Sequence, residues 1–164
     1  MEFTIKTNAD NRLRSDALVI MQADLEKVGI QAKPELLEFG KLMEDVLQRR
    51  DLDTVLLSWK TGYAADPSQV WHSDAIQHGY NLISYSNPRV DSLLAAARQE
   101  SDRAKAKPLW CEFQRLVAED CPYVFLYNQD NPAAVRQRLQ NVKMGMRGYW
   151  VNVEEWVVEN SQKK

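Results

Sequence analysis

Between residues 58 and 78 the chain gathers Trp59, Tyr63, Asp66, Trp71, His72, Asp74 and His78, a concentration of side chains able to ligate, catalyse or stack. Metal ligation is the first chemistry to weigh. His72 and His78 stand six residues apart with Asp74 between them, a spacing that suits ligation from neither a helix nor a strand, and no third soft ligand is close. No metal and no other cofactor is expected. Catalysis has as little support: the sequence holds no G-x-S-x-G, no H-E-x-x-H, no glycine-rich phosphate loop and no Cys/His pairing. The adjacent Glu119 and Asp120 fall at a helix end before Pro122, where carboxylates are solvated. The chain does not read as an enzyme.

Reversible binding uses these residue types better. Aromatic rings supply large contact area with few rotors, and Tyr63, in a Gly/Ala-rich turn with nothing nearby to bury it, is the ring most suited to face a ligand. Trp59 at a strand end fits a ligand wall and a core equally, whereas Trp71 fits packing better. Asp66 is a candidate ligand contact, but Asp66-Pro67 is also a good cap and first turn for a short helix at 67–71. His72, followed by Ser73-Asp74, reads as a group that organises its loop by hydrogen bonding. Asn81 either presents its amide to a cleft or caps a turn.

These residues need a scaffold, and 164 residues suffice for one domain with a proper core. Composition is ordinary for a globular protein, with 45% hydrophobic and 27% charged residues. A net charge of −2 provides no basic field for nucleic acid or an anionic membrane, and the short Arg136-Gln137-Arg138 cluster reads as a solvated face. No apolar run is long enough to span a bilayer, and residues 2–7 already alternate like a strand instead of an export signal. Cys111 and Cys121 lie ten residues apart, within and just after one predicted helix. That puts them roughly 15 Å apart, beyond the ~7 Å a disulfide tolerates, so two buried free thiols are expected.

The periodicity predicts strand–helix–strand–helix–strand. A strand at 2–7 is followed by a turn and helix start at Asn8, Asp10 and Asn11, then by a helix with Leu13, Ala17, Ile20, Met21, Leu25 and Val28 on its apolar stripe, ended by Gly29. A second strand spans 30–37, and Pro34 demotes it to a sheet edge. A helix using Phe39, Leu42, Met43, Val46 and Leu47 precedes a nearly continuous apolar run at 53–59, which reads as a strand buried on both faces. Such a series implies right-handed crossovers and a mainly parallel sheet flanked by helices, an α/β fold. Ligands of such sheets bind beyond the carboxyl ends of the strands, where Asn8, Asp10, Asn11 and the loop after Trp59 lie. Further on, Asn87-Pro88 opens a helix with Val90, Leu93, Leu94 and Ala97 on its buried stripe. A second helix carries Leu109, Phe113, Leu116 and Val117, with Pro108 marking its first turn or a kink. A fourth strand is expected at 123–127, a short basic helix at 135–142 and a strand-like stretch at 144–158.

Several segments taken together resemble one family. They are DPSQVWHSD (66–74), NLISYSNPRVDSLL (81–94) and EDCPYVFLY (119–127), supported by FTIKTNADN near the start and LEKVGIQAKPELLEF (25–39). In order and spacing they are similar to the C-terminal lobe of the family-5 extracellular solute-binding proteins of peptide and nickel ABC transporters. The resemblance implies a lobe of the type-II periplasmic-binding-protein kind at 1–128, and a segment at 129–164 that returns toward a first lobe missing from this chain. It further implies a periplasmic or extracellular receptor that encloses an oligopeptide or similar small solute between two lobes and docks on a membrane permease. Peptide-binding members commonly carry an acidic residue a few positions after the Trp, for the ligand amine; here Gly62 or Tyr63 occupies that place. The arginine some relatives carry before the Trp is replaced by Leu56 and Leu57. Two other readings stand beside this one: the ligand-sensing domain of a transcription regulator built on the same fold, and a module that self-associates through a surface including Trp150 and Trp156.

Overall fold

The computed structural model describes residues 1–60, 66–130, 132–145 and 148–159, and Tyr63 lies outside them. The chain divides into two units. The larger holds Met1–Trp59 and Asp66–Pro122; the smaller holds Lys60 and the described residues from Tyr123 on.

The larger unit is built on β1 (Glu2–Asn8), the middle strand of a parallel sheet in the order β2-β1-β3. β2 (Gln31–Leu37) lies along its whole length, with Pro34 opposite Ile5 on a sheet edge, where its missing N–H costs no ladder bond. α1 (Arg12–Glu26) makes the crossover. Asn11 caps it, its Oδ1 accepting from Arg14 N at 3.1 Å, and Gly29 turns the chain out with a φ of +79°. The buried face of α1 is centred on Leu18, which packs with Ile5 and Ala32 and is flanked by Met21 and Leu25. Of the stripe read from the sequence, Leu13, Ile20 and Val28 are exposed. The true stripe runs through 18, 21 and 25, and residue 20 points about 200° away from residue 18.

Side-chain alternation sends Lys6 to the other face of β1, toward α2 (Phe39–Met43) and the π-helical turn that continues it (Glu44–Arg49). Leu42 and Val46 are fully buried there. Lys6 is only 8% exposed. Its Nζ lies 2.9 Å from Asp45 Oδ2 and donates to Asp51 O at 2.7 Å, while Lys41 Nζ reaches Asp45 Oδ1 at 2.8 Å. The two ammonium groups, Lys41 first and Lys6 second, hold the Asp45 carboxyl down at about 2.

The third strand is shorter than its apolar run implies. β3 comprises Thr54–Val55, paired with Ile5 and Lys6. No residue from 53 to 59 is fully buried, so the expected strand covered on both faces is not formed. β3 is an edge strand here, and only Leu56 packs against the Ile5 cluster.

After two short helices, α3 (Ser68–Trp71) and α4 (Ala75–His78), the chain forms a helix pair. Asn87 caps α5 (Pro88–Gln99) by accepting from Arg89 N at 3.0 Å. Val90, Leu93 and Leu94 of α5 pack with Phe113 and Val117 of α6 (Arg103–Asp120), as their spacing predicts. Pro108 sits inside α6, which ends at Cys121 in the left-handed region (φ 47°) just before Pro122. Both cysteines are exposed, where burial was expected. Cys111 stands two residues from Phe113 and therefore faces away from the 113/117 stripe.

In the smaller unit β4 (Leu139–Gln140) pairs antiparallel with β5 (Val157–Val158). A 3-10 segment (Tyr149–Glu155) leads into β5 and is broken at Asn152. Asn152 is buried and knits the turn together: its Oδ1 accepts from Lys143 N at 3.0 Å, and its Nδ2 donates to Asn141 O at 2.7 Å. Residues 123–127 enter neither sheet, with residues 124–127 exposed, and residues 135–142 form no helix, Leu139–Gln140 among them being β4. Both expectations rested on local preference, which is overridden where packing does not select it. Among the described residues of the strand-like stretch at 144–158, only Val157–Val158 is strand.

Two outcomes follow from this packing. Leu94→Ala is expected to cost about 2–5 kcal/mol in urea unfolding, whereas Ile20→Ala, at a position 63% exposed, is expected to change stability by less than ~0.5 kcal/mol. Because Asp45 is depressed to about 2 from an ordinary 3.8, its contribution to stability is complete above about pH 4 and lost as pH falls through about 2. In acid titrations followed by circular dichroism, Asp45→Asn is expected to be less stable at pH 7 and to lose much of the acid limb between about pH 4 and 2; an unaltered limb would contradict the assignment.

Candidate functional site

The carboxyl ends of β1 and β3 bring together residues 50 positions apart in sequence. Asn8, the last residue of β1, is 5% exposed. Its Nδ2 donates to Asp10 Oδ1, and its Oδ1 accepts from Arg14 Nη1 at 2.5 Å. The same guanidinium donates through Nη2 to Ser58 Oγ at 2.6 Å. Thr7 Oγ1 donates to Leu56 O at 2.9 Å, tying the chain after β3 to the end of β1. Trp59 follows, 49% exposed, its ring edge-on to Tyr80 with centroids 6.1 Å apart. Asp10 is exposed, and Asn11 caps α1 beside it. The result is a polar sheet end next to an exposed aromatic pair, an arrangement able to hydrogen-bond extended main chain and cover it with rings. Arg14, Ser58 and Tyr80 were not singled out from sequence: Arg14 sits inside a helix, and only the tertiary fold brings Ser58 to it.

The remaining candidates are drawn into a separate scaffold around α3, α4 and α5. Asp66 Oδ1 accepts from Ser68 N at 3.0 Å, and its Oδ2 lies 3.4 Å from Arg98 Nη2. Burial works against its charge, but the Ser68 bonds and Arg98 outweigh it and keep its carboxyl below the ordinary value. Trp71 packs on the α5–α6 core, edge-on to Tyr85 at 6.0 Å. His72 Nδ1 accepts from Asp74 N at 3.2 Å. Asn81 is 1% exposed, and its amide donates to His72 O at 3.2 Å and Tyr85 O at 2.7 Å while accepting from Tyr85 N at 2.9 Å. All three of these hydrogen bonds go to backbone, so Asn81 closes the turn.

An open groove of about 390 Å³ lies elsewhere on this unit, lined by Thr4, Lys6, Glu35, Arg50 and 51–53. Three of its charged side chains, Lys6, Asp53 and Arg50, are engaged within the fold. Lys6 is taken by Asp45, Asp53 Oδ2 accepts from Thr4 N at 2.8 Å, and Arg50 donates to Ser84 Oγ at 2.9 Å and to Ile76 O. The groove borders the chain leading into β3, not the carboxyl ends of the strands, and its chemistry is that of structural ion pairing.

Comparison with known proteins places this geometry. No family model matches the chain. The oligopeptide-binding protein AppA of Bacillus subtilis is 32% identical over 155 residues, covering 94% of this chain and 28% of AppA. The structure of that AppA in complex with a nonapeptide superimposes with a TM-score of 0.80, covering 96% of this chain and 31% of AppA. NikZ from Campylobacter jejuni, solved in complex with Ni(L-His), matches with a TM-score of 0.69 at 25% identity, over 94% of this chain and 33% of NikZ. A probable di/tripeptide-binding protein of Pseudomonas aeruginosa is 26% identical over 137 residues, 81% of this chain and 24% of its own length. The chain thus spans about three tenths of the length of these relatives. In sequence and in fold it is a homologue, along nearly its whole length, of the family-5 peptide and nickel substrate-binding proteins of ABC transporters.

Proposed function

We propose that this chain forms one ligand-binding lobe, the C-terminal one, of an ABC-importer receptor, and that the carboxyl end of its parallel sheet is one wall of the cleft. The observation that carries the reading is the coincidence of two facts. The fold matches AppA, a protein solved with a nonapeptide, over 96% of the chain. The side chains at its sheet end (Asn8, Asp10, Arg14, Ser58, Trp59 and Tyr80) are polar groups and exposed rings of the kind that hold extended peptide. Binding is reversible and involves no covalent step. Tyr63, four residues beyond Trp59 in sequence, is proposed as a further ligand contact. The relatives are named for binding and transport, which favours a receptor over the sensing domain of a transcription regulator.

The ligand class is an oligopeptide or a similarly sized polar solute, delivered to a permease from the periplasmic or extracellular side. The exposed ring of Trp150 in the smaller unit, stacked on the partly buried Trp156 with centroids 5.4 Å apart, is assigned to contact with the rest of a longer receptor. A lobe alone carries part of the contacts and cannot close on its ligand, so its intrinsic affinity is low.

Native mass spectrometry of the protein carrying this chain, purified without denaturation, tests the ligand class. Bound masses spaced by amino-acid residues are expected; one discrete non-peptide mass would keep the receptor and overturn the peptide. Trp59→Ala is expected to lower affinity on the order of ten-fold, as removal of an exposed aromatic anchor does. Asn81→Ala is expected to cost about 1–3 kcal/mol of stability by orphaning buried backbone groups without changing the affinity of the folded fraction.

A further inference from the structure

The segment that carries Trp59 is held in an unusual way for part of a sheet. β3 pairs with β1 only at Thr54 and Val55, and the ladder's last contribution is Leu56 N donating to Lys6 O at 2.9 Å. Thr7 Oγ1 then holds Leu56 O at 2.9 Å. Beyond that point no strand continues, Leu57 is partly buried, and Ser58 and Trp59 are exposed. Their next hydrogen-bonded anchor among the described residues is Arg14 Nη2 on Ser58 Oγ at 2.6 Å. Arg14 is itself fixed from two sides: its backbone N is bound by the Asn11 cap, and its Nη1 meets the buried Asn8 Oδ1 at 2.5 Å.

We propose that Arg14 is a positioning residue for ligand recognition, a rigid bridge that sets where Trp59 stands relative to the end of β1. The proposal rests on the reading that this sheet end faces the ligand. A guanidinium is planar, with its donors in a fixed fork, so when two of its nitrogens are bound to two acceptors the separation of those acceptors is set by the group itself. Asn8 is immobilised in the sheet, so Ser58 is the partner that is placed, and Trp59 is carried with it. A lysine cannot reproduce this: its ammonium is a point donor on a flexible stem. Arg14 therefore acts on affinity through the placement of Trp59.

The chain labelled with 5-fluorotryptophan provides the test. Its five tryptophans report separately by fluorine NMR, with Trp59 assigned by its loss in Trp59→Phe. Arg14→Lys and Ser58→Ala are each expected to move or broaden the Trp59 resonance and to leave that of Trp110, packed in the α5–α6 core, in place. Arg14→Lys/Ser58→Ala together should perturb Trp59 no more than either alone, because both remove one bridge. Titration of the protein that carries this chain with a pool of random-sequence nonapeptides is expected to show on the order of ten-fold weaker binding in each variant, the scale of one lost charge-assisted hydrogen bond. An unmoved Trp59 resonance overturns the bridge whatever the peptide result. A moved resonance with unchanged peptide affinity overturns its role in recognition. A moved resonance where the wild-type protein that carries this chain takes no peptide supports the bridge and counts against the peptide reading alone. Ser58→Ala deletes one hydroxyl on an exposed segment, so the test does not depend on Arg14→Lys folding well.

Discussion

The structure of the larger unit depends on covering both faces of one parallel strand that carries a lysine at its centre. β1 has a strand on each side, so Ile5 and Lys6, adjacent in sequence, must point into opposite layers. Ile5 is satisfied by apolar contact with α1. Lys6 needs a counter-charge, and the π-helical turn after α2 supplies it by turning Asp45 inward, to 2.9 Å from the ammonium. Lys41 on the second carboxylate oxygen completes the pairing. Burying one charge without the other would be strongly unfavourable, so this pair specifies how the second crossover docks on the sheet.

With β1 fixed in this way, its carboxyl end becomes a platform for function. Asn8 is held by the sheet, Asn11 and Arg14 by the start of α1, and the chain after β3 is laid across them. The aromatic pair Trp59–Tyr80 joins this edge to the loop that leads from α4 to α5. The second set of residues, Asp66, Trp71, His72 and Asn81, spends its hydrogen bonds and ring contacts on neighbouring backbone and on the helix pair. Trp59 and Tyr80 of the first set are exposed while Trp71 and Asn81 of the second are packed into the fold, although both sets read as equally polar and aromatic in the chain.

That contrast shows where sequence was informative. Asn87-Pro88 and the stripe 90/93/94/97 specified a capped helix and its buried face because cap chemistry and helical spacing are local. Pro34 marked an edge strand for an equally local reason. The parallel order of β1, β2 and β3 followed from alternation of element types. What could not be read is what depends on partners distant in the chain. Lys6 stands in an alternating strand, and nothing near it in sequence indicates that Asp45, 39 residues on, meets it. Cys111 and Cys121 were assigned to the core by residue type alone. Residues 123–127, apolar and β-favouring, form no strand in either sheet. Of the candidate site, Asn8, Asp10, Asn11 and Trp59 were identified from their place at strand ends, and Arg14, Ser58 and Tyr80 were not, because their roles exist only across the fold. The family resemblance, read from five short segments, is matched by AppA over 94% of the chain.

The central claim is that ligand meets this lobe at the carboxyl end of its sheet. Amide chemical-shift mapping of the chain, titrated with random-sequence nonapeptides, tests it most directly. The account predicts perturbations concentrated at Asn8, Asp10, Asn11, Ser58, Trp59 and Tyr80, with the α5–α6 core unmoved. Perturbations centred instead on the groove beside Arg50 and Asp53, or on the outer faces of α5 and α6, would contradict it.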